Sequence, residues 1–114
     1  MKKSFKLAIA AFASLLTLGG VSSTAFVAHA EETRVEVIAK GFQHDFWKAV
    51  NKGAEKAASE LGAKINFVGP QNETAIAEQL EQLNNAINKN PKAIALAALD
   101  TEAELDAINM ALSK

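Results

Sequence analysis

Val35-Glu36-Val37-Ile38-Ala39 runs into Lys40-Gly41-Phe42-Gln43-His44-Asp45-Phe46-Trp47, and this passage decides the fold. Its first five residues are rich in β-branched side chains and stop at Gly41, which predicts a strand. Phe46, Val50, Ala54, Ala57 and Leu61 then recur at spacings of three and four, which predicts one face of a helix. Asp45 stands where an N-cap is expected, and Gly62 where the helix should stop. A strand passing through a short loop into an amphipathic helix is the first half of a βαβ unit.

The same alternation continues outward. Lys64 to Val68 reads as a second strand closed by Gly69-Pro70, and Ile76, Leu80, Leu83 and Ile87 mark a second helix face ending before Asn90-Pro91. Ala93 to Ala98 is a continuous apolar run of strand length, as in a buried parallel strand. Thr101 and Glu104 have the spacing of a capping box, and Leu105, Ile108 and Leu112 give a third helix face. The βαβαβα order predicts an α/β fold of three layers, a parallel sheet with helices on both faces. No closing strand follows Ser113-Lys114, which reads as an interrupted protein; the alternative is a small domain that dimerises through its open edge.

Upstream, Lys2, Lys3 and Lys6 precede an apolar run from Leu7 to Leu18, then Gly19-Gly20 and small polar residues, and finally Ala28-His29-Ala30. Basic, apolar, then small-x-small is the order of a secretory signal peptide, with cleavage expected after Ala30. The unbroken apolar run is short for a membrane span, so no membrane insertion is expected after cleavage. Of 114 residues, removing 30 leaves 84, one modest domain (31–114). The leader takes three of the 12 basic residues and none of the 13 acidic ones, leaving nine against 13 and a net charge of −4. A mildly acidic domain without a basic cluster is a poor partner for nucleic acid or anionic membrane. The chain has no cysteine, which excludes disulfides, thiolate metal sites and a cysteine nucleophile.

In an open α/β sheet, ligands bind at the carboxyl ends of the strands. Here those ends are Lys40 to Trp47, Gly69 to Glu73 and Leu99 to Glu102. Gly41, Gly53, Gly62 and Gly69 do not have the spacing of a dinucleotide or Walker loop. His44 is the one histidine after the leader, too little for a metal site, and no cofactor is implied. Asp100 would suit a phosphoacceptor, but the acidic pair that such chemistry needs near strand one is replaced by Lys40-Gly41. Asn72-Glu73-Thr74 has the pattern of a glycosylation sequon and reads as a turn and helix start. The first loop instead sets three large aromatics among Gln43, His44 and Asp45. Sugars, with apolar ring faces and polar rims, are gripped by such sets. Trp47 lies ~100° round the helix from Phe46, off the apolar stripe, and is expected to face a ligand.

Phe46-Trp47, then Gly53-Ala54-Glu55-Lys56-Ala57-Ala58, Leu61-Gly62-Ala63, Gln71-Asn72, Glu78-Gln79-Leu80-Glu81-Gln82-Leu83 and the strand Ala95 to Asp100 follow one another in an order that resembles the periplasmic sugar-binding proteins of ABC transporters. The likeness is to the ribose- and galactose-binding type and covers essentially all of 31–114. It implies the N-terminal lobe of a type I periplasmic binding fold, with the hinge and second lobe not represented. The family's loop often has Asn-Pro before the aromatics where this chain has His44-Asp45, which points away from ribose. Gly69-Pro70 and its acidic-polar turn resemble the branch that binds autoinducer-type and other modified sugars.

The resemblance implies a secreted, non-enzymatic solute-binding protein of the periplasm or cell envelope, with a sugar-like ligand and an ABC permease as partners. Lys40, Gln43, His44, Phe46, Trp47 and Asp100 are the expected contacts, with Gln71 and Asn72 ranked lower. Two alternatives remain: a sensor or chemotaxis input domain of the same fold, and a small secreted hydrolase using His44 with Asp45 or Asp100. The hydrolase needs a nucleophile, and Ser59 and Ser113 lie away from the strand ends.

Overall fold

The computed structural model describes residues 31–114, so the expected leader lies outside the described residues. Three strands and three helices alternate: β1 (Arg34–Ile38), α1 (Asp45–Leu61), β2 (Lys64–Val68), α2 (Ile76–Asn88), β3 (Ala93–Leu96) and α3 (Leu105–Leu112). The strands form a parallel sheet in the order β2-β1-β3. Val37 stands between Phe67 on one side and Ala95 on the other, and Ile38 between Val68 and Leu96. The α/β order and parallel sheet expected from the sequence are thus present, with β1 one residue earlier than expected and β3 two residues shorter.

Successive side chains on a strand point to opposite faces, so the register assigns the layers. Ile38, Val68, Ile94 and Leu96 share one face, where they meet Leu83, Ala86 and Ile87 of α2 and Ala107 of α3. This is the core. Glu36 lies on the same face, 5% exposed, and is stabilised there by the Asn66 amide at 2.7 Å and the Lys89 ammonium at 3.4 Å. Phe67 and its neighbours face the other way, toward α1.

Local chemistry sets the helix ends. Gly62 takes the left-handed conformation (φ 66°) that a side chain would resist, and its N–H returns to Ala58 O to close α1. Asn90, also at positive φ, ends the α2 connection before Pro91. Asn72 accepts the Thr74 N–H (3.0 Å) and hydroxyl (2.6 Å), which makes the expected turn.

The helix starts differ from expectation. The cap residue of α1 is His44, without a side-chain bond, and Asp45 pairs with Lys48 at 3.2 Å. The cap residue of α3 is Glu104, also without a side-chain bond, and in the turn ahead of it Asp100 Oδ1 accepts the amides of Glu102 (2.9 Å) and Ala103 (2.7 Å). The Thr101/Glu104 capping box does not form: α3 starts only at Leu105, so Thr101 lies in the preceding turn and Glu104 stands at the cap position itself, with neither carboxylate oxygen bonded.

Two apolar stripes are also rotated. On α1 the sheet-facing residues are Trp47, Val50, Asn51, Ala54 and Ala58, whereas Phe46 is 67% exposed and Leu61 81% exposed. The two stripes share Val50 and Ala54. Covering the indole removes more apolar surface than covering a phenyl ring, which favours the observed rotation. On α3, Ala107, Ile108 and Ala111 pack on the core, while Leu105 is half exposed and Leu112 80% exposed. Small residues let α3 lie close to α2, and that close approach turns both leucines outward.

Candidate functional site

The three loops at the carboxyl ends of the strands meet on one side of the sheet. The chain leaves β1 across one face and returns over the other to β3. The crevice between these two neighbouring strands is therefore a topological switch point, where open α/β sheets hold ligands. Backbone bonds fix its rim: Ala39 N–H to Val68 O (2.8 Å), Phe42 N–H to Pro70 O (3.1 Å) and Ala97 N–H to Ile38 O (2.9 Å). The first two need a close passage of the loops. A Cβ on Gly69 would lie 3.3 Å from both the Ala39 Cβ and the Phe42 nitrogen, closer than a side chain would sit comfortably.

The expected contact residues all lie at this end, in different states. Lys40 is half-buried at the end of β1, and Gln43 and His44 are exposed in the loop that follows. His44, Glu73 and Trp47 surround Gly41: a Cβ placed there would be 3.4 Å from the imidazole, 3.7 Å from the Glu73 side chain and 4.0 Å from the indole. Phe46 and Trp47 meet edge to face, 4.9 Å between centroids at 81°. Of this pair Phe46 presents its ring to solvent. Trp47 is half-buried and, with Phe42, Phe67 and Asn51, lines a hollow of about 270 Å³ beside β2. The expectation that Phe46 belongs to the core and Trp47 lies off it is thereby reversed.

Asp100 is half-buried, and its carboxylate is held below its ordinary range by the Ala103 and Glu102 amides. It shapes its loop as an ionised cap and retains one oxygen for other partners. Gln71 and Asn72 lie in the exposed turn after β2, where the Gln71 N–H donates to Glu78 Oε2 at 3.2 Å. Among the described residues no three His, Asp or Glu side chains come together as a metal site. No helix among them is long and apolar enough to cross a membrane.

Three residues escaped the sequence reading. Gln79 is fully buried beneath the crevice, with its donors at 2.8 Å from Ala39 O and 2.9 Å from Ala97 O and its acceptor at 2.8 Å from Leu99 N–H. Gln82 donates to Gly69 O at 3.1 Å and so holds the β2 loop in the same manner. Glu104, ahead of α3, is buried with neither carboxylate oxygen hydrogen-bonded. A signal existed for two of them. Gln79 sits at the spacing of the Ile76–Leu83 stripe and Glu104 at the spacing of Ile108, and a polar residue on an apolar stripe either finds a partner or carries a penalty.

Comparison with known proteins agrees with this geometry. Residues 35–114 match the family described as periplasmic binding protein domain. The D-allose-binding periplasmic protein of Escherichia coli (strain K12) is 32% identical over 81 residues, which are 71% of this chain and 25% of that protein. A solved structure from Brachyspira murdochii, described as an ABC transporter, LacI family transcriptional regulator, is 43% identical with a TM-score of 0.67, covering 72% of this chain and 25% of the other. A carbohydrate transporter solute binding protein from Agrobacterium radiobacter, solved in complex with D-arabinose, is 30% identical with a TM-score of 0.70, covering 74% and 28%. The chain thus spans about a quarter of the length of these relatives. The parallel sheet, the crevice at its carboxyl end and the match over 35–114 together place this chain in the periplasmic binding protein family.

Proposed function

We propose that this chain is the sugar-binding N-terminal part of a solute-binding protein that is exported to the periplasm or cell envelope and serves an ABC permease. The observation that carries this reading is Phe46, an aromatic ring left exposed in the first turn of α1, at the same end of the sheet as Lys40, Gln43, His44 and Asp100. A phenyl face stacks on the C–H face of a sugar, and the ammonium, amide, imidazole and carboxylate bond its hydroxyls. The relatives named for D-allose and solved with D-arabinose support the same ligand class. The function is capture and release without chemistry. In a two-lobed protein, closure of the second lobe over the sugar would complete the site.

One lobe covers one face of the ligand, so burial stays below the ~70–90% typical of small-molecule sites. Calorimetry with pentoses, hexoses and modified sugars is therefore expected to give a Kd near 1 mM, about −4 kcal/mol. Micromolar affinity would show that the chain completes the site by itself, and the absence of saturable binding to any sugar would overturn the sugar assignment.

Export rests on residues 1–30, whose order is that of a secretory signal peptide. Mass spectrometry of the exported chain is expected to find Glu31 at the N-terminus, and Ala30→Trp is expected to block processing. Recovery of intact Met1 chains embedded in membrane would overturn this part of the proposal.

A further inference from the structure

Gln79 has 0% of its surface exposed, and its carboxamide spends its bonds on two loops. Ala39 O opens the loop after β1, while Ala97 O and the Leu99 N–H belong to the loop after β3. Packing α2 on the sheet does not require a glutamine, since an apolar side chain on the same stripe would bury more favourably. What the carboxamide adds is a connection. Among the described residues the backbone bonds between β1 and β3 end with Ala97 N–H to Ile38 O. Beyond that rung the two chains separate around the crevice, and Gln79 joins them from below.

We propose that Gln79 is a positioning residue of the ligand crevice, holding the Lys40 loop and the Asp100 loop at a fixed separation and so setting affinity without touching the ligand. The inference rests on the reading that sugar is held between these loops. Each loop would otherwise have to be ordered when ligand binds, and the entropy lost in ordering would weaken affinity.

Heteronuclear NMR on the chain, well below its melting temperature, tests this with D-allose and D-arabinose as probes. Gln79→Met removes all three bonds. The Leu99 amide is expected to exchange at least ~tenfold faster while the Leu83 and Ile87 amides stay protected, and sugar affinity should fall ~tenfold, the effect of about one buried hydrogen bond. Gln79→Glu keeps an acceptor for Leu99 but sets a carboxylate against two carbonyl oxygens. It should leave Leu99 protected and still weaken binding. Unchanged affinity in a folded Gln79→Met chain overturns the proposal. If that variant does not fold, wild-type affinity in Gln79→Glu does so instead. If the unsubstituted chain shows no saturable shift with any sugar, it is the sugar reading that fails. The clamp is then decided by the Lys40 and Gly41 resonances, whose invariance in Gln79→Met would overturn it.

Discussion

Trp47→Ala is expected to lower the stability of the lobe by about 2 kcal/mol, roughly half the ~3–5 kcal/mol of a fully buried aromatic, because the indole is half-buried. In a domain of this size that is a fall in Tm of about 10 °C, at ~4–8 °C per kcal/mol. The indole rests against Gly41 and walls the hollow shared with Phe42 and Phe67. Removing it would therefore loosen the seating of α1 on β2. Phe46→Ala should do the opposite. Its ring is 67% exposed, so the melting curve should move by no more than ~0.5 kcal/mol, while sugar affinity in a two-lobed version should fall ~tenfold or more. Thermal unfolding by circular dichroism beside calorimetry separates the two. If Phe46→Ala unfolds the lobe and Trp47→Ala only weakens binding, then α1 is seated on the stripe read from the sequence and the contact assignment passes to Trp47.

The reversal of this pair shows where the sequence stops being informative. Gly62, the Asn72 turn and the end at Asn90-Pro91 were legible because each is fixed by the backbone freedom or short-range bonding of one residue. The strand and helix order was legible because the apolar period changes from two to 3.6 at each boundary. Rotation of a helix about its axis has no such local cause. The stripes 46/50/54/57/61 and 47/50/51/54/58 share two members and differ by less than one residue of twist. Only packing against Phe67 and Gly41 decides between them. Asp100 was expected as a ligand contact, and the bonds it makes are local: two free amides, two and three residues on, take one of its carboxylate oxygens.

Glu104→Met is expected to stabilise the chain at neutral pH by about 1–3 kcal/mol, the cost of burying unsatisfied polar atoms. The carboxyl is 0% exposed and neither oxygen has a hydrogen-bond partner. Burial pushes its pKa above the ordinary value, and the nearby negative Asp100 adds to this. The Leu99 amide, which donates to Gln79, and the Lys40 charge pull against the rise without cancelling it. The sign follows from the raised value. A carboxyl that holds its proton more tightly when folded contributes stability below its unfolded pKa, and loses that contribution as pH rises through the folded one. The wild-type chain should therefore weaken as pH rises above about 4.5, until the Glu104 proton is lost. Glu31, Glu32 and Asp100 have lowered values and act oppositely, losing their contribution only as pH falls below that point, so the two windows do not overlap. Methionine matches the glutamate in length and needs no partner, so the weakening above pH 4.5 should vanish in the variant. Denaturant melts from pH 4 to 8 would show this as curves that diverge as pH rises above about 4.5 and then run parallel once the proton is lost. A variant less stable than wild type at pH 7 would mean that the carboxylate is ionised and matched by Lys40. In that case it would serve as the counter-charge that keeps the lysine at the crevice, rather than as the penalty carried by α3 for the close approach of Ala107 and Ala111 to the core.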